Sequence, residues 1–251
     1  MVGIGPGDIA LLTQQALAAL GDCEVVIGYK TYTRLIGNLV NDKKVISLDM
    51  HDEIKRAKLA IKKASQGKDV CVISGGDAGI YGMAGLILEL LNKEEKDRIK
   101  IEFIPGIPAV SACASLLGAP LMHDFVVISL SDLLTDKELI EKRVRLGCQA
   151  DFIIVFYNPK SKKRRLLFER IWQILMKYKS SHTPVGIVQN AYRDNEKVEI
   201  TNLKDMLNSK IIDMSTTIIV GNTKTYVKGK FMITPRGYNL ARGKNRRSFT
   251  R

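Results

Sequence analysis

In the first half of the chain, short apolar runs alternate with longer amphipathic stretches, and this rhythm constrains the fold more than any other feature. The runs CEVVIG, KVISL, DVCVIS and KIEFI read as strands, and ALLTQQALAAL, EIKRAKLAIKKASQ and MAGLILELLN carry helix patterns. Strand–helix–strand alternation predicts a mainly parallel sheet, because the helix serves as the crossover between neighbouring strands. Further on, FVVISL, DFIIVFY, PVGIVQN, KVEITNL and TTIIVG read as strands, with helices at DKELIEKRVRLG and RLLFERIWQILMKY. The late strands follow one another through short connections, which predicts a mixed sheet. In IPGIPA, Pro105 and Pro108 interrupt the pattern and Gly106 permits a sharp turn, so the chain is expected to divide there. The expected organisation is an α/β domain over 1–106, a second α/β domain with a mixed sheet over 107–240, and a basic tail over 241–251. With 251 residues, 45% of them hydrophobic, the chain is long enough to bury both cores.

Composition narrows the setting. No run of about 18 uncharged apolar residues occurs, so no membrane span is expected. No basic segment followed by an apolar stretch opens the chain, so no secretory leader is visible. Cys23, Cys71, Cys113 and Cys148 lie far apart without a C-x-x-C, and His51, His123 and His182 form no ligand-spaced cluster. The expectation is a cytoplasmic protein with reduced, buried thiols and no metal of its own. The formal net charge is +13. Lysine-rich faces such as EIKRAKLAIKKASQGK read as solvated helix surface, whereas KSKKRR and RGKNRRSFTR could attract RNA, a membrane surface or a polyanionic small molecule.

Two glycine loops carry the chemistry. In VGIGPGDIALLT the glycines at 3, 5 and 7 alternate, and Asp8 stands where a dinucleotide fingerprint would put its last glycine. Pro6 gives up an N–H that a pyrophosphate would use, and no G-x-x-x-x-G-K-[ST] occurs anywhere. After DVCVIS comes GGDAGIYGMAG, a strand end leading into a glycine-punctuated helix start, as at ligand loops of open α/β sheets. Gly75 and Gly76 let backbone approach a ligand, and Asp77 can accept from sugar hydroxyls or hold an ammonium. A plainer role for Asp77 is to cap a helix.

Taken together, VGIGPGDIALLT, VVIGYKTY, SGGDAGIYGMAG, PGIPAVSACASLLGAPLMHDFVVISLSDLLT, DFIIVFYNPKSK, TPVGIVQNAYR and TTIIVGN occur in an order that resembles the tetrapyrrole methyltransferases. GYKTY, ISLSDLLT and FYNPKSK are most similar to the branch that methylates C17 of precorrin-3B or cobalt-factor III in cobalamin synthesis, with contraction of the ring. The resemblance covers almost the whole chain. It departs in one respect: only Met1 and Val2 precede Gly3, so the expectation is either a short first strand or an incomplete start. It implies two α/β domains with a cofactor cleft between them, S-adenosylmethionine as cofactor, a tetrapyrrole acceptor and a homodimer. The matching cofactor positions are Pro6, Gly75, Gly76, Asp77, Ile80, Pro108, Ala109, Asn158, Ala191, Thr216 and Thr217. Relatives often carry Thr at the position of Pro108 and Met at that of Asn158. Tyr29 stands where some relatives have a proposed catalytic acid, with Lys30 beside it and Asp49 as a further catalytic candidate. His51, His123, Ser129, Ser131 and Asp132 lie near expected strand ends, and the last four are candidates for acceptor contacts.

The residues alone leave other roles open. Tyr29 could simply close a cleft, His123 could be structural, and Asp132 could cap the helix that follows. Three other functions compete with this one: the same fold acting on RNA or a diphthamide precursor, a nucleotide-dependent oxidoreductase, and a non-enzymatic RNA-binding module. An aromatic content of 6% speaks against base-stacking strands. The failed fingerprint speaks against the oxidoreductase, and two ligand loops would go unexplained in a binding module.

Overall fold

The computed structural model describes residues 1–160 and 165–239. They form two compact units: Met1–Ala112 with Asn190–Glu196, and Cys113–Gln189 with the described residues from Lys197 onward. Most of the KSKKRR cluster, residues 161–164, and the expected tail over 241–251 lie outside the described residues.

The first unit contains β1 (Val2–Gly3), α1 (Gln14–Asp22), β2 (Val25–Tyr29), α2 (Lys30–Leu35), β3 (Lys44–Leu48), α3 (Glu53–Ser65), β4 (Val70–Ser74), α4 (Ala84–Leu90) and α5 (Lys93–Arg98). Its strands pair in the order β1-β4-β2-β3, every pair parallel. Successive side chains on a strand point to opposite faces. Val26, Cys71 and Ile73 therefore join Ala16 and Leu20 of α1 in one core. Val25, Ile27 and Val72 join Ala57, Ala60 and Ile61 of α3 in another. Helices on both faces explain why these strands read as unbroken apolar runs rather than alternating ones.

Three details differ from the sequence reading. The helix expected from ALLTQQALAAL begins only at Gln14, because the Thr13 side chain accepts from Ala16 N at 3.1 Å and caps it there. KIEFI is not a strand: it makes a single bridge, Val2 to Ile104. The two-residue β1 offers no longer edge, and Pro105 has no N–H to extend the ladder. The prolines of IPGIPA do not merely interrupt: α6 (Ala109–Leu117) starts directly after Pro108, whose carbonyl accepts from Ala112 N at 3.1 Å. Proline suits a helix start, where its missing N–H removes no helical bond.

The second unit contains β5 (Gly118–Ala119), β6 (Phe125–Ser129), α7 (Lys137–Gln149), β7 (Ile153–Tyr157), α8 (Arg165–Tyr178), β8 (Pro184–Gln189), β9 (Lys197–Asn202), β10 (Thr216–Val220), β11 (Tyr226–Lys228) and β12 (Phe231–Ile233). Its main sheet runs β6-β7-β10-β8-β9, parallel at β6–β7 and antiparallel elsewhere. Ile140 and Val144 of α7 and Ile171 and Leu175 of α8 pack with Ile154, Phe156, Ile187 and Ile218. Beyond α8, the buried Lys179 ammonium donates to Phe152 O at 3.1 Å and Gly221 O at 3.0 Å, and lies 3.8 Å from Asp151. It thereby ties the start of β7 to the end of β10. A small sheet, β11-β12-β5, completes the unit.

Candidate functional site

The glycine loops lie at the carboxyl ends of β1 and β4, where open parallel sheets bind ligands. They are locked to each other: Gly76 N donates to Gly5 O at 2.7 Å and Gly5 N to Gly76 O at 3.1 Å. Gly76 has φ +66°, a conformation other residues adopt only with strain. A β-carbon there would stand 3.5 Å from Pro108 Cα and 3.6 Å from Ala109 N. The structure thus gathers Pro6, Gly75, Gly76, Pro108 and Ala109, drawn from three separate stretches of chain. Ile80, on the same loop, has an exposed side chain. Ala191 is buried and belongs to the same unit.

Asp77 organises this cluster. One carboxylate oxygen accepts from Gly79 N at 2.7 Å and the other from Gly106 N at 3.1 Å. It caps no helix, since α4 starts seven residues later at Ala84. Asp8, at the odd position of the first loop, caps a short 3-10 turn by accepting from Ala10 N at 2.8 Å.

Tyr29 ends β2, and Lys30 opens α2 immediately after it. Lys30 Nζ lies 3.4 Å from Asp49, just beyond β3, so the parallel pairing of β2 with β3 unites the three catalytic candidates. Both members of that ion pair are exposed, which makes it weak and easily exchanged. Three residues not singled out from the sequence support this end of the sheet. Tyr32 stacks edge-on against Tyr29 with ring centroids 5.3 Å apart. Its ring fills the space a Gly75 side chain would need, and burial raises its phenol above the ordinary tyrosine value. Arg56 is buried within a helix read as solvated, donating to Asp49 O at 2.7 Å and to Glu53 at 3.0 Å. The lysines around it conceal it in the sequence. Arg193 donates from Nε to Pro6 O at 2.8 Å. The motif QNAYR contains it, but points first to Ala191.

In the second unit, parallel pairing sets Ser129 opposite Tyr157, at the carboxyl ends of β6 and β7. Asn158, with φ +52°, donates from Nδ2 to Ser129 Oγ at 3.1 Å, and Ser131 N donates to the same oxygen at 3.2 Å. These three candidates therefore form one network. Asp132 lies 3.6 Å from Lys137 Nζ, while the residue preceding α7 is Asp136. His123 is not brought to this network. It precedes the amino end of β6, roughly 20 Å along the strand from Ser129, and its Nδ1 accepts from Asp124 N at 2.8 Å. Thr216 and Thr217 are buried on β10. The Thr216 hydroxyl donates to Ile211 O at 2.8 Å and accepts from Asp213 N at 3.0 Å, so it serves the fold.

A pair of glycine loops braced by a carboxylate at the carboxyl ends of parallel strands defines a ligand-binding α/β protein. The chain belongs to the tetrapyrrole (corrin/porphyrin) methylases, whose family pattern matches residues 1–207. It is 51% identical over 240 residues to a probable cobalt-factor III C(17)-methyltransferase of Salmonella typhimurium, covering 96% of this chain and 99% of that protein. It is 52% identical over 241 residues to a cobalt-factor III methyltransferase of Priestia megaterium, covering 95% of this chain but spanning only 44% of that longer protein. Among solved structures, the methyltransferase CobJ is similar with a TM-score of 0.86 and 33% identity, covering 93% of this chain and 98% of that one.

Proposed function

We propose that this protein is an S-adenosylmethionine-dependent methyltransferase that methylates C17 of a corrin precursor, cobalt-factor III or precorrin-3B, with ring contraction, in cobalamin biosynthesis. The observation that carries the reading is the pair of loops locked through Gly5 and Gly76 at the strand ends. They offer backbone groups and an exposed apolar Ile80 rather than a phosphate-binding lysine. That donor set fits S-adenosylmethionine, which has no phosphate but carries a ribose, an adenine and a zwitterionic amino-acid end. Pro6, Gly75, Gly76, Ile80, Pro108, Ala109 and Ala191 would hold it, with Asp77 bracing the loop. Asn158, Thr216 and Thr217 would add contacts, the threonines through their backbone.

When bound, the cofactor supplies an electrophilic methyl group. The protein's work is then largely to align an acceptor carbon with it. Taking up the methyl cation adds a positive charge to the macrocycle, so a proton must leave a nitrogen or hydroxyl of the acceptor, which requires a positioned acid or base to relay it. Tyr29 Oη is assigned that relay, at the strand end beside the loops. The exposed Lys30–Asp49 pair can open, freeing the Lys30 ammonium for an acceptor carboxylate. Ser129, Ser131 and Asp132 are assigned to the acceptor, as is His123 from its separate position. The partner is a tetrapyrrole rather than nucleic acid, and the enzyme is assigned as a cytoplasmic homodimer. Among the described residues, no helix is long and apolar enough to cross a membrane.

The test is incubation with S-adenosylmethionine and each acceptor in turn, followed by ultraviolet–visible spectra and product mass. A product heavier by one methyl group from either acceptor supports the reading. Methyl transfer to structured RNA, with neither tetrapyrrole altered, refutes it. Sedimentation checks the dimer.

A further inference from the structure

The first glycine loop is covered by a side chain with unused binding capacity. Segment Asn190–Glu196 connects β8 to β9 yet packs as part of the first unit. It forms a tight turn: Arg193 N donates to Asn190 O at 3.0 Å, and Glu196 N to Arg193 O at 2.9 Å. Tyr192 N donates to the Glu196 carboxylate at 2.6 Å. From this turn Arg193 lies across Gly7, where a β-carbon would stand only 2.6 Å from Arg193 Cγ. Gly7, the glycine that fits no nucleotide fingerprint, makes room for the arginine.

Its Nε bond to Pro6 O, at 2.8 Å, uses one of five guanidinium donors. Among the described residues, the terminal nitrogens Nη1 and Nη2 meet no acceptor, and no carboxylate pairs with this cation. The side chain is nevertheless half-buried. A partly desolvated, unpaired cation is costly unless an anion joins it. A fork pinned through Nε still presents two nitrogens in a plane suited to a carboxylate.

We propose that Arg193 is a carboxylate receptor, pinned to the Pro6 carbonyl through Nε and taking a ligand carboxylate through Nη1 and Nη2. The proposal rests on the methyltransferase reading, in which both ligands bring such groups. The cofactor has its amino-acid carboxylate, and the corrin precursor has acetate and propionate arms.

Arg193→Met keeps an apolar stem over Gly7 and removes the fork, whereas Arg193→Lys keeps the charge and loses the planar donor pair. Calorimetry compares S-adenosylhomocysteine with 5′-methylthioadenosine, which lacks the amino-acid end, and steady-state assays give KM for cobalt-factor III. If the cofactor carboxylate is the partner, Arg193→Met weakens S-adenosylhomocysteine roughly 10- to 100-fold and leaves methylthioadenosine within about twofold. If an acceptor carboxylate is the partner, S-adenosylhomocysteine is unaffected and KM for cobalt-factor III rises by a similar factor, more than kcat falls. Arg193→Lys gives an intermediate loss in either case, and carries the comparison alone if Arg193→Met does not fold. Equal losses for the two adenosyl ligands overturn the proposal, since Arg193 would then only shape the loop. So does unchanged binding of both cofactor and acceptor. Wild-type protein that binds no S-adenosylhomocysteine removes the methyltransferase reading itself, an outcome distinct from any difference between variants.

Discussion

Replacing Asp77 by Asn separates a loop brace from a ligand group. The native carboxylate accepts from Gly79 N at 2.7 Å and from Gly106 N at 3.1 Å, one bond to each oxygen. An Asn amide keeps one acceptor oxygen and puts an NH2 donor where the second oxygen stood. Its carbonyl should stay on the nearer donor, Gly79, leaving the Gly106 N–H facing another donor. The loss is one hydrogen bond to a charged acceptor, about 1.5 kcal/mol at a partly solvated site, or roughly tenfold in the local opening equilibrium. Native-state hydrogen exchange followed by NMR reads this directly. Protection at the Gly106 amide should fall about tenfold, with a smaller change at Gly79. Affinity for S-adenosylhomocysteine should fall by no more than that factor, because the loop is loosened rather than stripped of a contact. Unchanged protection at Gly106 together with a collapse of affinity would make Asp77 a direct ligand contact and not a brace.

Gly76→Val forces a β-branched residue to φ +66°, at a cost of roughly 1–2 kcal/mol or more. S-adenosylhomocysteine affinity should drop more than about tenfold while the melting temperature falls only a few degrees, and wild-type affinity by calorimetry would dissociate this loop from the cofactor. Tyr29→Phe removes only the hydroxyl, so turnover should fall about 10²- to 10⁴-fold with cofactor affinity retained; wild-type turnover would leave Tyr29 as packing. Burial pushes the Cys148 thiol from 9.0 up to about 11, against the opposing pull of Lys179. The folded state then keeps a proton that the unfolded chain releases, so this group's stabilisation is full below pH 9 and is lost as pH rises towards 11. Burial lowers the Lys179 ammonium below 10.5, so its contribution runs the other way, rising with pH in the window beneath that value. Urea denaturation at stepped pH should show a shallower decline between about pH 9 and 11 for Cys148→Ala than for wild type. The remainder comes from Cys71, raised by its hydrogen bond with Cys23 and by burial, and from Tyr32, raised by burial. An unchanged decline in the variant would exclude this thiol as its cause.

The class of fold and the two loops are legible in the order of residues alone. Unbroken apolar runs such as VVIGY and VCVIS separated by amphipathic helices suit a parallel sheet covered on both faces. The glycine loops were legible because backbone that must approach a ligand or adopt positive φ leaves a local mark in residue type. Family resemblance was legible for a similar reason, being carried by contiguous motifs.

Features that depend on partners distant in sequence emerge only in the folded chain. KIEFI has strand composition but lacks a strand edge long enough to pair with, and edge length is a property of β1, not of KIEFI. Arg56 reads like its neighbouring lysines until the position of the Asp49 carbonyl reveals its role. His123 and Ser129 both lie near strand ends, but the direction of β6 puts them at opposite ends of one strand. Arg193 and Pro6 stand 187 positions apart in the chain and meet only in the folded protein. Local pattern encodes the elements, because helix and strand answer to neighbours a few residues away. The site is assembled by long-range pairing, and no short window of sequence contains both halves of such a contact.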